Sequence, residues 1–203
     1  MLRALEVAVA QTALKPWTLA EFFAWQERQD DRYELVGGLP SKMMAGASNR
    51  HDLIVLNILG EFRALLRGGR CTPFTGDGAV ETRPGQIRRP DAGVDCGVRD
   101  PDGYTAADPK LVVEVLSPST RDFDTFEKIA EYKALGGLDY ILYVEPNRAE
   151  VALWSRDEDR AWSMARIEGI DAIVDMPKLG ISLPLAEIYD GIELPPEVPI
   201  RRL

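Results

Sequence analysis

Two carboxylates stand where carboxylates are costly to place. Asp91 follows Pro90 at the head of the strand candidate RRPDAGVDCG, and Glu114 interrupts the apolar run from Leu111 to Leu116. A charged Glu inside a central strand is expensive to bury unless it is paired or bound to a cation. If the two strands lie side by side, Asp91 and Glu114 meet at one edge. Carboxylate oxygens, a backbone carbonyl such as that of Val115, and water are a donor set that suits Mg²⁺ or Mn²⁺. Such an ion polarises a phosphoryl oxygen and acidifies a bound water. A nearby Lys then orients the attacking water or stabilises developing negative charge. The competing assignment is a structural Glu114 paired with an Arg. Asp95 shares a strand face with Asp91 and is either a flanking group or a strand-end residue.

The elements that must position these groups follow from pattern. Thr18 and Glu21 have capping-box spacing, which predicts a short amphipathic helix over TLAEFFAWQER. RYELVGGLPSKMMA predicts a hairpin turning at Gly37-Gly38. From Ser48 to Arg67, Leu53, Leu56, Ile58, Leu59, Phe62, Leu65 and Leu66 recur at helical spacing, and Gly68-Gly69 stops that helix. LVVEVLS reads as a fully buried central strand, TRDFDTFEKIAEYKALGG as a helix, and DYILYVEP and VALWSR as strands. Phe126, Ile129, Ala130, Lys133 and Leu135 are spread along this third helix. Ser117 and Ser119 are placed to cap it near Asp122. DEDR at 157–160 predicts a charged hairpin turn, and a last strand and the short helix LAEIYD close the chain. Strands alternate with helices only in part, so the fold class is α/β with a mixed sheet. One domain over 1–203 is expected, with a loose arm at 1–16 and a Pro-rich tail at 191–203.

In combination, RYELVGG, RRPDAGVDCG, PKLVVEVLSPSTRDFD, EKIAEYKALGGLDYILYVEP and VALWS resemble the Uma-type family of the restriction-endonuclease-like superfamily. The superfamily signature is PD followed about twenty residues later by EXK within a strand, and here Glu114 stands 23 positions after Asp91. The resemblance implies an αβββαβ core and metal-dependent hydrolysis of phosphodiester bonds. The chain departs from the signature at the EXK lysine, which is Leu116. In the resembled family a Lys of the following helix takes over, which here is Lys128. Asp124, Lys128 and Tyr132 fall on one helix face at i, i+4 spacing; the alternative for Lys128 is a solvated helix ion pair. The resemblance also points to Glu34 as a further metal ligand or orienting group, against an exposed hairpin residue. It points to His51, the sole His, as a contact to phosphate or to the attacking water, against a helix-start surface residue.

A net charge of -9 argues against broad coating of nucleic acid, which needs clustered Lys and Arg. A local basic groove stays open, with Arg63, Arg67 and Arg70 in one cluster and Arg83, Arg88 and Arg89 in another. Cys71 and Cys96 lack CxxC spacing, so they predict neither zinc nor a disulfide scaffold and suit a reducing compartment. No apolar run reaches 18 residues, so no membrane partner is expected. MLRALEVAVA is a poor signal peptide because Glu6 breaks it, and a cytoplasmic location follows. GxxxxGK[ST] and GxGxxG are absent, so no nucleotide cofactor is expected. A serine nucleophile would have only His51 as base. The leading expectation is a metal-dependent endonuclease on DNA, acting as a homodimer. The alternatives are a catalytically inactive nucleic-acid- or protein-binding module of the same fold and, more weakly, a hydrolase of another phosphate or small ester.

Overall fold

The computed structural model describes residues 15–43, 48–117 and 124–195. Helix α1 (Leu19–Gln26) begins at the capping box: Thr18 Oγ1 accepts from the Glu21 N–H at 3.2 Å, and Glu21 Oε2 accepts from the Thr18 N–H at 2.8 Å. Strands β1 (Tyr33–Val36) and β2 (Leu39–Lys42) form the expected hairpin. Its two turn residues, Gly37 and Gly38, have φ of 59° and 79°, the backbone a two-residue hairpin turn demands. Pro16 packs directly on Gly38, so this part of the predicted arm is seated rather than loose. Residues 1–14 and 196–203, with the leader-like segment and most of the tail, lie outside the described residues.

Helix α2 (Asn49–Leu65) is capped by Ser48. Strands β3 (Thr72–Thr75), β6 (Ala92–Asp95) and β7 (Pro109–Val115) are antiparallel neighbours. Helix α3 (Asp124–Ala134) then crosses to β8 (Tyr140–Glu145), which runs parallel to β7. This is the αβββαβ order, with the hairpin β4 (Val80–Arg83) and β5 (Gln86–Arg88) inserted between β3 and β6. Strands β9 (Glu150–Arg156) and β10 (Trp162–Glu168) extend the sheet to the order β10-β9-β8-β7-β6-β3. The inserted hairpin joins the first one as a separate sheet, β2-β1-β5-β4. A final hairpin, β11 (Ile173–Met176) and β12 (Ile181–Pro184), leads into α4 (Leu185–Ile188). One last strand was expected after the charged turn, and three form there: β10, β11 and β12. The charged turn at 157–160 does join β9 to β10.

Alternation along β7 divides the core. Leu111, Val113 and Val115 face α2, where Ile54, Ile58 and Phe62 are buried. Val112 faces α3 with Tyr132, Ile141 and Tyr143. Three residues of the predicted helical stripes are exposed instead: Leu56, Leu65 and Phe126, at 63%, 44% and 73%. The α2 contact face is narrower than the apolar stripe, and Ile54 occupies its centre. The helix start expected near Asp122 and the cap expected from Ser119 lie outside the described residues.

Cys71 and Cys96 form a disulfide, against the sequence expectation of free thiols. Thr72 pairs with Asp95 across β3 and β6, so the next cross-strand pair is Cys71 and Cys96. Sheet register brings together two residues whose spacing matches no motif, and the bridge removes the thiol argument for a reducing compartment. Among the described residues no helix is long and apolar enough to cross a membrane. Without reductant, thiol titration of the denatured protein is expected to find no free cysteine. Reduction is expected to lower unfolding stability by about 3 kcal/mol, given the loop the bridge closes. Two titratable thiols in unreduced protein would contradict the bridge.

Candidate active site

Extending the β6–β7 register by one residue beyond Ala92 and Val113 sets Asp91 directly opposite Glu114. Glu114 alternates with Val113 and Val115 and so lies on the α3 side of the sheet, while Asp91, just before β6, stands at the strand end within reach of both helices. The strand positions are firm because a glycine is needed beside them. A Cβ on Gly93 would lie 2.2 Å from the Phe74 ring and 2.7 Å from the Leu111 carbonyl oxygen.

Asp91 is held from two directions. Its Oδ2 accepts from the Val115 N–H at 2.7 Å and lies 3.3 Å from His51 Nε2. His51 occupies the first turn of α2, where Ser48 accepts its backbone N–H at 3.2 Å. Its hydrogen bond to Asp91 raises the imidazole above its ordinary value, against the effect of burial.

Glu114 is enclosed by α3. Tyr132 donates its hydroxyl to Glu114 Oε1 at 2.8 Å, and Lys128, one turn earlier, places Nζ 3.2 Å from the same oxygen and 3.4 Å from Oε2. Burial pushes the Glu114 carboxyl up to about 7; Lys128 opposes the rise and the Asp91 anion adds to it. Burial acts against the Lys128 ammonium, but Glu114 and Glu34 outweigh it and hold the group charged, above the ordinary lysine range.

Glu34 is buried rather than exposed on its hairpin. Its Oε1 accepts from the Arg89 N–H at 3.0 Å and lies 3.5 Å from Lys128 Nζ, while its Oε2 accepts from Arg88 at 2.8 Å. With both oxygens engaged, Glu34 has the geometry of an orienting group. Arg88 also grips Glu131 on α3. Arg88 and Arg89 therefore point inward and do not line a basic groove; Arg63, Arg67 and Arg70 are exposed at the end of α2. Asp95 is likewise structural, accepting the N–H groups of Gly97, Ala107 and Asp108 to pin the loop between β6 and β7.

Of the residues expected in the site, Asp91, Glu114, Lys128, Glu34, His51, Tyr132 and the backbone of Val115 all converge here. The Asp124 side chain lies outside the described set. Leu116, at the EXK lysine position, packs into the α3-side core. Tyr143 was not foreseen: it pairs in register with Glu114, and its buried hydroxyl lacks a hydrogen-bond partner among the described residues. Its place two residues after Ile141 in an apolar run gives no signal of this.

The Asp91 side chain is 25% exposed and Glu114 12%, so an incoming group meets Asp91 first. Among the described residues no three His, Cys, Asp or Glu side chains already converge as a metal cluster. The donors present are two carboxylates and a backbone carbonyl, the sparse oxygen set that Mg²⁺ accepts while keeping several waters.

A mixed sheet with helices on both faces, carrying a facing carboxylate pair where β6 begins and β7 ends, defines a restriction-endonuclease-like fold. The chain belongs to the Uma2 family, described as "Putative restriction endonuclease", whose model matches residues 19–186. It is 30% identical over 174 residues to an uncharacterized protein of Synechocystis sp., slr1290, covering 85% of this chain and 90% of that one. A crystal structure of a "putative nuclease belonging to DUF820" from Anabaena variabilis shares the fold. Its TM-score is 0.68 at 17% identity, covering 86% of this chain and 98% of that chain.

The raised Glu114 and His51 values make stability depend on pH in one direction. For Glu114, the native state holds a proton that the unfolded chain releases, so stability falls as pH rises from the carboxyl's ordinary value of 4.5 to about 7. For His51, the stabilisation is complete below its unfolded value and is lost as pH rises through its raised folded value. Urea denaturation across pH 4–8 is expected to show a shallower fall in Glu114→Gln than in wild type in the lower part of this range. In His51→Gln the fall becomes shallower only in the upper part. Wild-type slopes in both variants would contradict the assignments.

Proposed function

We propose that the protein is a divalent-cation-dependent endonuclease that hydrolyses phosphodiester bonds of DNA, with Asp91, Glu114 and Lys128 as its catalytic residues. The observation carrying this reading is the buried Glu114, set opposite the more open Asp91 and met by the Lys128 ammonium. A carboxylate with a pKa near 7 beside a second carboxylate is a pair that a cation would relieve. Asp91, Glu114 and the Val115 carbonyl fit Mg²⁺ or Mn²⁺ by donor type, and such an ion supplies charge neutralisation and an acidified water when bound.

The chain's own groups divide the remaining work. Lys128 stays protonated, so it acts as a donor that orients the attacking water and stabilises charge on the phosphoryl oxygens, not as a base. Tyr132 fixes one Glu114 oxygen and Glu34 fixes Lys128 from behind. His51, at the N-terminus of α2 and hydrogen-bonded to Asp91, is an accessory donor facing a phosphate. The exposed Arg63, Arg67 and Arg70 offer phosphate contacts outside the centre. Exposed Leu39, Leu56 and Leu65 are apolar surface for the second copy that a twofold double-strand cut requires, and DNA as substrate suits a cytoplasmic location.

Leu116 in place of the motif lysine, and a Glu114 already engaged by Lys128 and Tyr132, favour one second reading: a binding module that kept the fold. Incubation with linear, supercoiled, single-stranded and branched DNA in Mg²⁺ or Mn²⁺ decides between them. Cleavage is expected that chelator stops, that Asp91→Ala abolishes, and that Lys128→Met slows about 10²–10³-fold. DNA binding without cutting in either cation would replace the nuclease reading by the binding-module one; cutting that persists in excess chelator would overturn the cation role.

A further inference from the structure

A buried ion network stands behind the site, and one residue joins its parts. Arg88, at the end of β5, has a side chain only 6% exposed. Its Nη1 donates to Glu34 Oε2 at 2.8 Å, while Nε and Nη2 make a bidentate pair with Glu131 at 2.9 and 2.8 Å. Thr82 on β4 adds a hydrogen bond to Glu131 at 3.0 Å. Glu131 lies on α3, three residues after Lys128 and next to Tyr132. Glu34 lies on β1 and reaches Lys128 at 3.5 Å. One guanidinium thus bridges Glu34 of the small sheet and Glu131 of the helix, beside the Thr82–Glu131 and Glu34–Lys128 contacts.

The tie has a geometric consequence. Lys128 is a long, flexible side chain with two carboxylates in reach, and its position depends on where α3 sits and on how much charge Glu34 leaves for it. Arg88 sets both. Its bidentate grip fixes the helix that carries Lys128 and Tyr132, because a planar fork permits little rotation. Its third donor, with the Arg89 N–H, occupies Glu34 and limits that carboxylate's pull on the ammonium. A lysine at 88 could serve one carboxylate as a point charge but could not span both.

We propose that Arg88 is the positioning residue of this site: it sets Lys128 against Glu114 by holding Glu34 with one nitrogen and helix α3 through Glu131 with the other two. The catalytic part of this inference rests on the nuclease reading; the placement of Lys128 does not. Loss of Arg88 leaves Glu131 without its cation and Glu34 with Lys128 alone, frees α3 to shift, and moves Lys128 off Glu114.

Two readouts test this on Arg88→Met and Arg88→Lys, with Glu131→Gln as the milder variant that keeps a hydrogen-bonding amide. The first is the acylation rate of each lysine with an amine-specific reagent, read by mass spectrometry on the full-length folded protein. Lys128 is expected to react about tenfold faster in the variants, while Lys133 on the same helix keeps its wild-type rate. A purely structural role for Arg88 would speed both lysines together, and an unchanged Lys128 rate would overturn the proposal. The second is cleavage of the DNA found to be cut. The kcat is expected to fall about tenfold or more with KM for DNA unchanged, and Arg88→Lys is not expected to restore it. In a Lys128→Met background, Arg88→Met is expected to cost nothing further; an equal loss in that background would overturn the proposal. If wild type cuts no DNA, the nuclease reading fails, and the ratio of Lys128 to Lys133 acylation alone decides the role of Arg88.

Discussion

The structure is organised around the cost of burying one carboxylate. Glu114 occupies a central strand, between an apolar α2-side core and the packed face of α3, where an uncompensated charge is strongly unfavourable. Lys128 and Tyr132 supply the compensation, and they do so only if α3 docks with that face inward. Removing one partner of such a buried pair typically costs about 3–5 kcal/mol. Lys128 in turn needs Glu34, and Glu34 needs Arg88, so the requirement of one strand residue spreads to the second sheet. The inserted β4–β5 hairpin and the N-terminal hairpin therefore belong to the site as much as the main sheet does.

Much of this was legible in the chain. The apolar run with a single Glu marked the central strand, and Pro90-Asp91 marked the start of its neighbour. Helical spacing placed Lys128 and Tyr132 on one face, and that face meets Glu114. The capping box and the Gly37-Gly38 turn follow from local rules, and both formed as read. What stayed illegible depends on register and packing between distant segments. Arg88 and Arg89 are surface-like by composition, and only the pairing of β5 with β1 turns them inward. Cys71 and Cys96 meet because β3 and β6 align, not through their spacing. Leu56, Leu65 and Phe126 satisfy a helical stripe yet face outward, because each helix is covered along one narrow line.

The same arrangement explains how a chain can lack the motif lysine and still set an ammonium beside Glu114. With Leu116 completing the core on the α3 side, the ammonium arrives from the helix rather than from the strand. A helix-borne lysine is held by helix docking, whereas a strand-borne one is held by sheet register. Control of the group thus passes to whatever fixes α3.

Asp91 and Glu114 together are proposed to form a divalent-cation site. Calorimetric titration of Mn²⁺ and Mg²⁺ into the wild type and into the Asp91→Ala, Glu114→Ala double variant tests it most directly, with folding of both confirmed by circular dichroism. Saturable binding is expected in the wild type and not in the folded double variant. A wild type that binds neither ion, or a double variant that binds as tightly as the wild type, would contradict it.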